Sequence, residues 1–302
     1  MLFSILIANY NNGHFFRDCY ESIIAQTYTN WEVILVDDGS TDESIQIIKD
    51  IIGEDKRFKF YENASNKGCG YTKARCAELA GGDILGFVDP DDAIKENALS
   101  LMVEIYVNNP KVAIVTSNYE MVDLQLNFMY NGKHASRIPK NYSYLTYGRG
   151  ALTAFATFNN NAYKKSGGID KKMKRAVDQD LYYKMEEQGA HLFLDKVLYK
   201  YRVHKNSISQ NDNLWKAEYW HFYAIVNAYI RRKKNKIQID NFSKDYIKNY
   251  QVDYYLMRFE KLKFSEKKEA KFYFLYKSFF KDLFYKFQFK VKSLVLTLIG
   301  KI

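Results

Sequence analysis

Three carboxylates crowd one turn of this chain. They follow Ile84-Leu85-Gly86-Phe87-Val88, a continuous apolar run of the kind found in strands buried on both faces, which ends at Asp89-Pro90-Asp91-Asp92. Pro90 has no N–H to give to a ladder, so the strand stops there, and three like charges then share a turn at a cost that a cation would relieve. A divalent metal is the functional reading. The structural alternative is a solvated turn, with one Asp capping a helix that starts at Ala93. A second acidic pair, Asp37-Asp38, ends the apolar run Trp31–Val36, on the sheet edge where open α/β folds bind ligands. Downstream, Asp178 and Asp180 open a helix, where a carboxylate favours the dipole, and Arg202 and His204 end a strand. Histidine at such a place is either a surface residue or a metal ligand.

The elements that must position these groups alternate. Phe3–Ala8 reads as a central strand, followed by turn chemistry at Asn9-Tyr10-Asn11-Asn12-Gly13 and a helix through Phe16, Cys19 and Ile23. Trp31–Val36 completes a β-α-β unit whose short crossover implies parallel pairing. Ser40 and Glu43 match the S-x-x-E capping box for the next helix, so their presence has a structural explanation. Phe58–Tyr61 is a third strand, and the loop Asn63–Gly70 leads into a helix at Ala74. Lys67, Lys73 and Arg75 lie in or beside that loop, where a cation near a helix N-terminus could meet a phosphate, although solvated basic faces are commoner. Ile94–Val107 reads as helix and Val112–Ser117 and Val197–Val203 as strands, while residues 119–150 mix turn and strand signals.

Composition narrows the classes further. The 302 residues are 47% hydrophobic and 26% charged, which suits a folded protein with a real core and excludes disorder. Cys19, Cys69 and Cys76 are odd in number and have no metal-like spacing, so reduced, inert thiols in a cytoplasmic setting are expected. The N-terminal run lacks a basic flank and is too short for a signal peptide, and no apolar stretch is long enough to span a bilayer. The net charge of +10 is uneven: residues 215–302 hold 20 Lys and Arg against 8 Asp and Glu, and 23 of the 50 aromatic side chains. That shift sets an expected boundary between a domain of residues 1–212 and a helical, basic extension of residues 213–302.

Four pieces in order, SILIANYNN, VDDGSTDES, the NKG…AR…GGDILGFVDPDDA block and RAVDQDLYYKM with YRVHKNSIS behind it, resemble the family 2 glycosyltransferases. The resemblance covers about residues 1–210. It implies an inverting enzyme with a GT-A fold, a Rossmann-type α/β sandwich around a mostly parallel sheet, that takes a nucleotide sugar, with UDP as the expected nucleotide. It places Ala8, Tyr10 and Asp38 at the base, with Tyr10 stacking and Asp38, or failing that Asp37, accepting the uracil N3–H. Asp89 would hold the ribose and Asp91 a Mg²⁺ or Mn²⁺ ion, with Asp92 sharing the metal or meeting the sugar. With the site so placed, Lys67, Lys73 and Arg75 remain the loop cations that could meet the phosphates, and Arg202 and His204 lie where the family closes the site over the diphosphate, by direct charge pairing or by metal contact, with His204 the candidate metal ligand. Asp178 matches the family's general base, but Val177 stands where the family has Glu, which leaves Asp180 open as the alternative. The acceptor implied is a glycan or lipid-linked oligosaccharide in surface polysaccharide synthesis, at the inner face of the cell membrane. A nucleotidyltransferase is disfavoured, because no Lys or Arg follows the first strand to hold a triphosphate. A non-catalytic scaffold that binds glycan or partner protein is the remaining alternative.

The extension reads as helical. Along its last helix Phe272, Tyr276, Phe280, Leu283, Phe287, Leu294 and Leu298 form one broad apolar face, with Lys267, Lys271, Lys281 and Lys292 opposite and Lys286 and Lys290 on the flanks. Such a helix either packs on protein or lies on an anionic membrane, and the Phe-rich stripe with concentrated positive charge favours the membrane. Nucleic acid is not expected, since no recognition motif accompanies the charge.

Overall fold

The computed structural model describes residues 1–147, 151–204, 214–239, 241, 245–263 and 268–301. The chain divides into two compact units, Met1–Gln210 and Asn211–Ile302. The boundary expected at 212/213 and the segment Lys205–Ser209 of the last motif lie outside the described residues.

The first unit opens with β1 (Phe3–Asn9), α1 (Phe16–Ile24), β2 (Trp31–Asp37), α2 (Ser44–Ile52), β3 (Phe58–Glu62), α3 (Cys69–Leu79) and β4 (Ile84–Phe87). Every residue of β2 is buried, as expected of an interior strand rich in apolar residues, and the one charge inside its run, Glu32, is met by Ser4, Lys59 and the Gly81 N–H. In α1 the buried residues are Phe16, Cys19 and Ile23, one face of a helix. The strands run in the order β3-β2-β1-β4, all parallel, and the register sets Asn9 beside Asp37 and Asp37 beside Glu62. One rim of the sheet therefore carries the ends of three strands, with the turn after β4 next to them.

The second half of this unit supplies β5 (Ala93–Ile94), α4 (Ala98–Asn108), β6 (Val112–Val122), β7 (Phe128–Asn131), α5 (Tyr144–Tyr147), β8 (Thr157–Asn159), α6 (Asn160–Lys165), α7 (Val177–Glu186) and β9 (Ala190–Arg202). The sheet continues β4-β8-β6-β9-β5, with antiparallel pairs at β4–β8, β8–β6 and β9–β5 and a parallel pair at β6–β9. Two short residues of β5 matter most for the site. They pair with Tyr199 and Lys200 of β9 and so pin the acidic turn to the strand that ends at Arg202.

Two local expectations are corrected. The helix expected from Ile94 starts at Ala98, because Ala93 and Ile94 are taken into the sheet. Ser40 caps no helix: its hydroxyl donates to Asp37 Oδ1 at 2.6 Å, and α2 begins four residues later, where Asp42 accepts from the Ser44 N–H at 3.0 Å.

The second unit contains α8 (Leu214–Lys234), α9 (Tyr246–Leu262), α10 (Lys268–Lys281) and α11 (Phe287–Leu298). Val252, Leu256, Phe259 and Leu275 form its core cluster, lined by Phe274, Phe279, Tyr285 and Leu294. The single long helix expected here is broken. Asp282 accepts from the N–H groups of Phe284 and Tyr285, and Lys286 takes a left-handed φ of 54° and pairs with Asp253 at 2.9 Å, which turns the chain between α10 and α11. Among the described residues no helix is long and apolar enough to cross a membrane.

Candidate active site

The site is built where β1, β2 and β4 end. Asp37 is fully buried and serves the rim itself: it accepts from Asn9 Nδ2 at 2.7 Å, from Ser40 Oγ at 2.6 Å and from the Ser40 N–H at 2.8 Å. These contacts tie the ends of β1 and β2 to the turn at Ser40. Asp38 secures the neighbouring loop, taking the Asn63 side chain at 2.7 Å and the N–H groups of Lys67 and Gly68 at 2.8 Å. Gly39, at φ 70°, lets that loop close: a Cβ there would stand 2.8 Å from the Ser65 carbonyl carbon. Ala8 is half-buried beside this rim, and Tyr10 is 44% exposed, its ring free to meet a planar group.

The three carboxylates after β4 separate into different roles. Asp92 is buried, with one oxygen accepting from Tyr199 Oη at 2.7 Å and the other from the Arg202 N–H at 2.8 Å. Burial, reinforced by Asp91 and Asp89, pushes its acid well up from the ordinary carboxylate range. It anchors the acidic turn to β9 through both oxygens. Asp91 faces His204, whose Nε2 lies 2.7 Å from Asp91 Oδ2, and the imidazole packs on Phe15 with ring centroids 4.9 Å apart. Asp89 is 3.5 Å from Lys73 Nζ.

Lys73 reaches both halves of the site. Its ammonium is buried, lies over the Phe87 ring, and stands 3.2 Å from Asp178 Oδ1 as well as beside Asp89. Burial works against that charge, but Asp178 and Asp89 outweigh it and hold the Lys73 pKa above its ordinary value. Asp178 sits in the first turn of α7 with its side chain 48% exposed, whereas Asp180 is buried and paired with Lys184 at 2.7 Å. Of these two carboxylates, Asp178 is the one that opens toward solvent.

The other basic candidates point elsewhere. The Lys67 side chain is exposed, and its backbone is what serves the loop. Arg75 donates to the Glu62 carbonyl at 2.7 Å and to Asn63 Oδ1, bracing the end of β3. Arg202 is 1% exposed: its guanidinium donates to the Asp91 carbonyl at 2.6 Å, to the Leu124 carbonyl and to Asp18 at 2.6 Å, and lies over Phe15. So placed, it is a strut under the acidic turn, its guanidinium taken up by protein partners. Sequence reasoning missed Tyr199, Asp18 and Phe15, whose parts depend on the β5–β9 pairing and leave no local signal. Burial pushes the Cys69 thiol up to about 11 and Cys76 up to about 12, so both stay protonated near neutrality, and all three cysteines are free.

The family model described as glycosyl transferase family 2 matches residues 4–167, more than half of the chain. The chain belongs to glycosyltransferase family 2. The match stops short of Asp178, Arg202 and His204, which reach the site through α7 and β9. Among curated relatives, the chondroitin synthase of Escherichia coli is 29% identical over 214 residues, covering 69% of this chain and 30% of the relative. The chondroitin synthase of Pasteurella multocida is 26% identical over 264 residues, covering 84% of this chain and 26% of the relative. The chain thus spans less than a third of these relatives. Among solved structures, S. aureus TarS residues 1–349 in complex with UDP-GlcNAc aligns with a TM-score of 0.66 at 17% identity, covering 93% of this chain and 81% of that one. The mannosyltransferase PcManGT of Pyrobaculum calidifontis, in complex with GDP-Man and Mn²⁺, aligns with a TM-score of 0.56 at 13% identity, covering 99% and 88%. These likenesses show the GT-A fold in this family 2 chain.

Proposed function

We propose that this chain is an inverting glycosyltransferase that moves a sugar from a UDP-sugar to a hydroxyl of a glycan or lipid-linked acceptor in surface polysaccharide synthesis. One observation carries the reading: Lys73 stands between Asp89, beside the acidic turn after β4, and Asp178, 105 positions further along the chain than Lys73. A donor station and a solvent-facing carboxylate within reach of one cation is what an in-line transfer needs.

The exposed Tyr10 ring supplies a stacking face for the base, and the loop secured by Asp38 walls it. Asp38 already accepts three hydrogen bonds of the roughly four a carboxylate can take, so one position is left for an imide N–H. Asp91 and His204 suit a divalent cation by their chemistry: a carboxylate oxygen and an imidazole nitrogen, little exposed and in direct contact at 2.7 Å. Among the described residues no cluster of three ligating side chains exists, so a Mg²⁺ or Mn²⁺ ion here would need further ligands from the donor. When bound, the ion would neutralise charge on the departing nucleotide as a Lewis acid. Asp178 takes the proton of the acceptor hydroxyl as its oxygen bonds to the anomeric carbon and the bond from that carbon to the diphosphate breaks. Lys73 holds one oxygen of Asp178, which orients the carboxylate for this transfer.

A donor panel read out by nucleotide release, together with calorimetry using UDP, tests the proposal. UDP is expected to bind with Mn²⁺ and to weaken at least tenfold in chelator. Asp178→Asn should lower turnover by roughly 10²–10⁴-fold while leaving UDP affinity unchanged. Metal-dependent UDP binding with no release from any donor would favour a non-catalytic scaffold, and full activity in Asp178→Asn would move the base elsewhere.

A further inference from the structure

The last helix of the second unit is inside out, and the helix before it is so in part. In α11 the buried side chains are Lys290, Ser293 and Thr297, and in α10 Lys271 and Ser278 are buried along with Leu275 of the core cluster. Lys271 Nζ donates to the Lys263 carbonyl at 2.8 Å, and Lys290 Nζ donates to the Ser278 carbonyl at 3.0 Å and to the Asp282 carbonyl. The outward side is apolar: Phe280 is 78% exposed and Phe284 81%, with Tyr276, Leu283, Phe287 and Leu298 exposed around them. Tyr276 and Phe280 stack on each other at 6.1 Å, in solvent. An ordinary surface helix points its apolar stripe inward and its lysines out. Leaving this many large apolar side chains uncovered marks a surface built to be covered by something.

Charge identifies the covering. Exposed Lys281, Lys292 and Lys301 flank the apolar residues along the chain, beside Lys286, which is paired with Asp253, and residues 215–302 carry 20 Lys and Arg against 8 Asp and Glu. A second copy of the chain would bring the same excess of positive charge against itself. A partner that is apolar below and anionic above answers both features. We infer that α10, the turn at Asp282–Lys286 and α11 form a helical hairpin that seats Phe280, Phe284 and their neighbours in the interfacial layer of an anionic bilayer, with the flanking lysines at the headgroups. The hairpin lies on the membrane and does not span it. Its polar side remains toward protein, where Lys271 and Lys290 have carbonyl partners.

Co-sedimentation of the full chain with vesicles tests the inference. The protein should pellet with phosphatidylcholine vesicles containing phosphatidylglycerol, remain in the supernatant with phosphatidylcholine alone, and lose binding as NaCl rises. Phe280→Ser with Phe284→Ser changes no charge and no core residue, and should lower partitioning by roughly tenfold or more. Lys281→Gln with Lys292→Gln should weaken binding and flatten its salt dependence. The inference is overturned if the wild type ignores phosphatidylglycerol vesicles, or if the double Phe variant pellets as the wild type does. It is equally overturned if size-exclusion chromatography shows a dimer that the Phe variant converts to monomer without any vesicle binding, since a second copy would then own the surface.

Discussion

Lys73 is the residue on which the site's two halves depend. Without its ammonium, Asp89 and Asp178 would be left as neighbouring like charges with no cation between them, and Asp178 would lose its hydrogen bond of 3.2 Å. Lys73→Met is therefore expected to lower turnover on the order of a hundredfold, the usual result of displacing a catalytic group by about an ångström. UDP affinity should change far less, which stopped-flow turnover beside calorimetry would show. Tyr199 is the matching residue beneath the acidic turn. Its hydroxyl donates to Asp92 Oδ2 and accepts the Asp89 N–H at 3.1 Å, so Tyr199→Phe leaves a buried acceptor and a backbone donor without a partner. The expected loss is about 1–3 kcal/mol in urea unfolding, with a raised KM for the donor, because the turn that carries Asp89 and Asp91 loosens.

Elements explain which of these residues could be read in advance. The rim was legible because its signals are local: an apolar run that stops at an aspartate places that aspartate at a strand end whichever strands are neighbours. The sheet's parallel first half followed for the same reason. The fates of Asp92 and Arg202 were not legible, because they depend on Ala93 and Ile94 pairing with Lys200 and Tyr199, a contact across more than a hundred residues with no pattern in either segment. The broken tail helix was missed for a different reason. Apolar spacing runs on through Leu283 and Phe284, and periodicity alone does not register that Asp282 captures the next N–H groups. That corner has its own pH signature. Lys248, at 2.8 Å, and then the Tyr285 N–H hold Asp282 down to about 2. A depressed carboxylate contributes stability above its unfolded pKa, near 4, and loses it as pH falls through the folded one. The turn between α10 and α11 should thus loosen between about pH 4 and pH 2. Asp282→Asn should flatten that part of the acid titration followed by Tyr fluorescence.

At the scale of the molecule, the two units are held by cores of very different kind. The first unit's cluster runs through β1, β2, β4, α1 and α4, from Phe3 and Ile5 to Met102 and Tyr199, and most of its members are completely shielded from water. The second unit's cluster centres on Val252, Leu256, Phe259 and Leu275, while much of its aromatic surface faces outward. Buried apolar area is the main source of local stability, so the helices around the smaller cluster should open at lower free energy than the sheet. Native-state hydrogen exchange on the free chain is expected to show amides of α10 and α11 exchanging well before those of β1 and β2. If the outward face of α10 and α11 is covered when it meets an anionic bilayer, phosphatidylglycerol vesicles should slow exchange in those two helices and leave β1 and β2 unchanged. Equal protection in both units without vesicles would mean that the second unit draws stability from a source other than its own core.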